Sequence, residues 1–261
     1  MPAVDPTRLA RQVSELAAIL EQPELFRRRL RDFLETYADR VRRPRPISGR
    51  MGSVRAFGTA QPVLHALGVA FKGRTVGSPE SALSAAEALW GEGSRESRLL
   101  ACSVLSDHSS HTVCVWVESK AMQCEDAVVL ADLGQTALLS WARQNPGEFL
   151  QATARWLASQ NRVEGFLALS ALGARVLDLP QDRLPAVIDR LRGQSARVSG
   201  EGKRALVLTV QALAARSPGE AASFLLDELA SKARGADRLV SETIEAFPES
   251  HRRRLLAALS G

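Results

Sequence analysis

The stretch Asn145–Gln160, NPGEFLQATARWLASQ, returns in altered form as Ser217–Lys232, SPGEAASFLLDELASK, at a constant offset of 72 residues. Pro146-Gly147-Glu148 recurs as Pro218-Gly219-Glu220, and Leu157-Ala158-Ser159 as Leu229-Ala230-Ser231. Each copy predicts a helix start followed by about four turns of amphipathic helix. Proline suits the first helical position, where its missing N–H costs nothing, and glutamate in the first turn faces the positive helix end. A fixed offset between helices of matching design marks a helical repeat. If the offset spans two units, each is about 36 residues long, the size of one helix pair.

The rest of the chain agrees with an all-α fold. Alanine and leucine dominate, aromatics make up 5%, and no sustained alternation of Val, Ile and Thr occurs. Valine-rich Val113–Val117 is the one stretch open to reading as a strand. At 261 residues the array needs no second domain. The expected organisation is therefore a single repeat domain over residues 1–261, with a basic N-terminal part (1–50) followed by helix-pair repeats (51–261).

The net charge of +5 is carried by 30 Arg against 4 Lys, and residues 1–50 alone hold 11 Arg and 7 acids. Arginine is the better side chain for bidentate phosphate contact, although the same charges also serve as solvated helix faces. Cys102, Cys114 and Cys124 show no CxxC pairing and are expected to be reduced, partly buried small hydrophobes. No leader pattern opens the chain and no apolar run is long enough to span a bilayer. The expectation is a soluble protein of the cytoplasm, or of the nucleoid in a bacterium, with no membrane partner.

In chain order, helices are predicted at 5–21 (Asp5 as cap), 23–40, 59–71, 79–90 (capped by Ser78), 95–105 (capped by Ser94), 112–122, 124–132 and 136–143. After the first copy of the repeated stretch they continue at 163–177, 183–191, 202–216, 218–232, 238–246 and 249–259. Loops are predicted at Arg43–Arg50, broken by Pro44 and Pro46, and at Gln194–Gly202, the most flexible interior connection.

Few motifs carry chemistry. Gly68–Thr75 nearly spells a Walker A loop, but Arg74 stands where lysine is needed and no strand precedes it; a glycine helix stop is the plainer reading. Cys102, His108, His111 and Cys114 hold thiol and imidazole groups without the paired spacing of a structural zinc site. No HExxH, GxSxG or Rossmann glycine pattern occurs. No metal or cofactor is expected. The basic clusters are Arg27–Arg31, Arg40–Arg50, Lys203-Arg204 and Arg252–Arg254.

Three further segments carry a resemblance. They are Ala56-Phe57-Gly58-Thr59-Ala60-Gln61-Pro62, then Ala88-Leu89-Trp90 with Arg95-Glu96 and Leu100-Ala101, and then Arg155-Trp156-Leu157-Ala158-Ser159-Gln160-Asn161. In this order and spacing, most of residues 20–235 resembles the DNA alkylation repair enzymes, the AlkD-like DNA glycosylases built of HEAT-like repeats. The resemblance implies a right-handed α-α superhelix, C-shaped, whose basic concave face holds duplex DNA and releases positively charged N-alkylated purines without metal or cofactor. It implies phosphate contacts from Arg27, Arg28, Arg31, Arg45, Arg50, Arg162, Lys203 and Arg204. The family's tryptophan-aspartate segment falls on Cys124–Asp132, which has no tryptophan. With one residue inserted Asp132 is the catalytic carboxylate; Asp126 is the second candidate. The family's later aromatics and arginines land on Val163, Phe166, Leu208 and Gln211. A carboxylate without aromatic walls sits in wetter surroundings, where its field is weaker. The resemblance therefore carries the fold further than the activity, and a non-catalytic repeat scaffold binding another protein along the concave face is the alternative.

Overall fold

The computed structural model describes residues 5–38 and 54–260. Among these residues there is helix and no strand. Contacts divide the chain into two compact units, Met1–Ser140 and Trp141–Gly261. The predicted Arg/Pro loop, with Arg45 and Arg50, lies outside the described residues.

The first unit holds α1 (Pro6–Ala18), α2 (Pro23–Thr36), α3 (Gln61–Thr75), α4 (Pro79–Glu92), α5 (Arg95–Leu105), α6 (His111–Met122) and α7 (Ala127–Asp132). Its starts are written locally. Asp5 Oδ1 accepts the Thr7 and Arg8 N–H groups, Ser78 Oγ that of Ser81, and Ser94 Oγ that of Ser97. Helices α1, α3 and α5 pack in succession, and α5 packs on α7 and the turn after it. Alongside, α2 packs on α4, and Trp90 of α4 meets Trp116 of α6 edge to face at 5.4 Å. Phe26 and Phe71, both fully buried, do the same at 5.5 Å in the core.

The second unit begins within α8 (Leu139–Gln144) and holds α9 (Pro146–Ala158), α10 (Arg162–Arg175), α11 (Leu184–Leu191), α12 (Gln194–Arg197), α13 (Glu201–Arg216), α14 (Pro218–Ala230), α15 (Ala236–Thr243) and α16 (Glu249–Leu259). The repeated stretch forms α9 and α14, two helices of 13 residues each with proline in the first turn. Helices α10, α13 and α15 make one row; α9, α11, α14 and α16 make the other. Across the rows α9 packs on α10, α13 on α14, and α14 also on α15. Within the first row α10 and α13 approach closely at Gly173, where an added Cβ would lie 2.9 Å from Thr209 Oγ1.

Val113–Val117 lies in α6, within the helix predicted over 112–122, because Val113, Cys114 and Val117 share one buried face at helical spacing. Three expectations are corrected. Gly68 and Gly73 lie inside α3 and do not stop it; the helix ends at Thr75, ahead of Gly77 at φ +78°. The helix predicted over 136–143 is preceded by a π-helical turn, Leu133–Ala137, and begins only at Leu139. Residues 194–197 form a helical turn with Gln194 and Ser195 buried, so that part of the predicted loop is tied down.

Candidate functional site

Asp132 is the last residue of α7, at the entry to the π-helical turn. A π-turn inserts one extra residue into the helical ladder and re-aims the side chains around it, often at functional sites. The carboxyl is half-buried, and Oδ1 accepts the Thr136 hydroxyl at 2.5 Å. The thiol of Cys102, on the facing side of α5, faces the same carboxyl. Burial pushes the Asp132 carboxyl above its ordinary range, and these two contacts offset only part of the shift. Among the described residues, no Lys or Arg forms an ion pair with Asp132.

The opposite arrangement holds six residues earlier. Asp126 caps α7, with Oδ1 accepting from Val128 N and Val129 N and Oδ2 lying 2.7 Å from Arg95 Nε. Both oxygens are occupied by the fold, so Asp126 is a structural cap. One face of α5 therefore runs along Cys124–Asp132: Arg95 meets Asp126, Arg98 meets the Cys124 thiol, and Cys102 meets Asp132. Arg98 also lies over the Trp90 ring at 4.9 Å. Burial raises the thiols of Cys102 and Cys124, Cys102 more strongly because it is fully buried, with Asp132 facing it as well. Neither is an activated nucleophile.

No family model, curated protein or solved structure matches this chain.

The basic residues expected to face phosphate meet different fates. Arg27 pairs with Glu24 at 2.8 Å and lies against Gly91, and Arg31 pairs with the buried Glu92 at 3.0 Å. Arg28, Arg162 and Arg204 are exposed and Lys203 is half-buried. Val163 and Phe166 are half-buried, Leu208 is half-exposed, and the Gln211 amide donates to Glu242 O. In the second unit Arg197, which the sequence did not single out, donates to the carbonyls of Leu157, Ala158 and Ser159 and closes the C-terminus of α9.

The cysteine–histidine set forms no metal centre. Among the described residues, no three His, Cys, Asp or Glu side chains gather into a metal-binding group. His108 is buried, and desolvation, with Lys72 nearby, holds its imidazole below the usual range despite Asp107. No helix among these residues is long and apolar enough to cross a membrane.

Proposed function

We propose that this chain is a DNA-binding repeat protein of the alkylation-repair type, its helix pairs stacked as a HEAT-like solenoid, with Asp132 meeting the positive charge of an N-alkylated purine. The observation that carries this reading is the setting of Asp132: a half-buried carboxyl that accepts the Thr136 hydroxyl, faces the Cys102 thiol and pairs with no cation among the described residues. Such a group gains most from a cationic ligand, because the ligand replaces the solvation that burial removed. As a glycosidic bond breaks, positive charge grows on the sugar, and a fixed carboxylate nearby lowers that barrier. Thr136 and Cys102 fix its orientation. Binding would rest on phosphate contacts from exposed Arg and Lys and would fall steeply with salt.

A second reading, a protein-binding scaffold, draws on the ion pairs of Arg27 and Arg31, whose guanidinium groups are already partly neutralised by Glu24 and Glu92. Two measurements separate the readings. Duplex binding is titrated against salt, and release of methylated purines from duplex is compared between the wild type and Asp132→Asn. Tight low-salt binding, with base release reduced on the order of 100-fold in the variant, is the expected result. No duplex binding at low salt ends the DNA reading and leaves the scaffold.

A further inference from the structure

Charge is segregated along the second unit. Arg197 reaches the carbonyls of Leu157, Ala158 and Ser159, Gly193 N donates to Glu228 Oε1, and Gly235 packs on Ser195 O. These contacts bring segments 155–164, 192–204 and 232–238 to one end of the helices. The three segments hold nine Lys and Arg against three acids, and Asp189, Asp227, Glu228 and Glu242 reach them from the neighbouring helices. At the other end Arg143 and Arg175 share Asp178, Arg216 donates to Leu179 O, and Gly219 approaches His251. There, segments 143–148, 175–183, 216–220 and 245–249 hold four Arg against six acids. The first end keeps an excess of cations and the other is mildly negative.

The positive end is also the end where cations lack partners. Arg192 and Arg238 are taken up by Asp227 and Glu242, and Arg197 by carbonyls. Arg162, Lys203, Arg204, Lys232 and Arg234 form no ion pair among the described residues. Lys203 and Arg238 line a shared cleft with Gly235, between the first turns of α13 and α15. Thr209 Oγ1 donates to Leu169 O, which sets α13 beside α10 with their starts at the same end. Three helix starts in a row, at the usual 8–10 Å between axes, span about 20 Å. One strand of duplex DNA presents about six phosphates over that length. The helix starts add their own positive ends to the same edge.

We infer that this end of the second unit, and not only a helix face, is a seat for the phosphodiester backbone of duplex nucleic acid. The inference rests on the DNA-binding reading and names where the backbone lies. It is tested by fluorescence anisotropy of a short labelled duplex over a salt series, with the wild type, the triple variant Arg162→Ala/Lys203→Ala/Arg204→Ala, and Arg183→Ala from the opposite end. Circular dichroism checks that all three fold alike. The triple variant is expected to lose on the order of 100-fold in affinity near physiological salt, and its log–log salt slope to fall by about 2.7, while Arg183→Ala binds as wild type. Wild-type affinity and slope in the triple variant would overturn the inference and leave DNA binding standing. So would an equal loss in Arg183→Ala, which signals diffuse attraction. A wild type that binds no duplex takes down both this inference and the reading beneath it.

Discussion

Arg31 and Glu92 stand 61 residues apart in the chain, yet Arg31 Nε lies 3.0 Å from Glu92 Oε1 while Nη2 of the same guanidinium donates to the Glu92 carbonyl. Glu92 is buried, and its second oxygen accepts the Ser94 N–H at 2.9 Å. One side chain therefore ties α2 to the junction between α4 and α5. Desolvation works to raise the Glu92 carboxyl, but the Ser94 hydrogen bonds and Arg31 outweigh it, and its pKa falls below the ordinary 4.5.

Removing that carboxylate leaves Ser94 N without its acceptor. Glu92→Ala is expected to cost about 1–3 kcal/mol, read as a lower urea midpoint at unchanged slope. The folded pKa is depressed, so the contribution is present above pH 4.5 and lost as pH falls through the folded value. The gap between wild type and variant should close in acid.

Asp132 has the opposite sign. Its folded pKa is raised above 3.8, so its contribution to stability is present below that pH and lost as pH rises through the folded value. Asp132→Asn removes this loss. Thermal midpoints followed from acid to neutral pH should show the variant equal to or more stable than wild type at neutral pH, even as base release drops. A variant clearly less stable at neutral pH would mean that the carboxylate is structural.

Gly173 is a point of close approach between α10 and α13. Gly173→Ala would gain about 1 kcal/mol of helix propensity, but its Cβ would meet Thr209 Oγ1 at 2.9 Å. The net expectation is a loss of about 1–3 kcal/mol. Adding Thr209→Ala should recover part of it in a double-mutant cycle, because the crowding atom is then gone.

Glu228 holds Gly193 N at 2.9 Å and the Ser195 hydroxyl at 2.7 Å, and pins α12 in place. Glu228→Ala strands a backbone donor and should cost about 2–3 kcal/mol. Hydrogen exchange is expected to rise first over residues 193–200. Gly235→Ala, at φ +87° and 3.1 Å from Ser195 O, should loosen the same corner.

The helix starts were legible because their signals act within one turn. Asp5, Ser78 and Ser94 cap the helices they were expected to cap, and the offset between the two proline-led stretches falls on two helices of equal length. The all-helical fold followed from the same local patterns. The site was legible only in part. Thr136 lies four residues after Asp132, a spacing that a helix converts into contact, whereas nothing near Cys102 points to Asp132. Tertiary structure alone decided which arginines are taken up by carboxylates and which face solvent, that Arg95 pairs with Asp126 while Asp132 lacks a cation, and that three distant segments gather at one positive end. Those outcomes depend on pairs tens of residues apart, such as Arg31 with Glu92 and Arg197 with Leu157. Composition and periodicity state how many charges a chain has, but only packing brings particular charges within reach of one another.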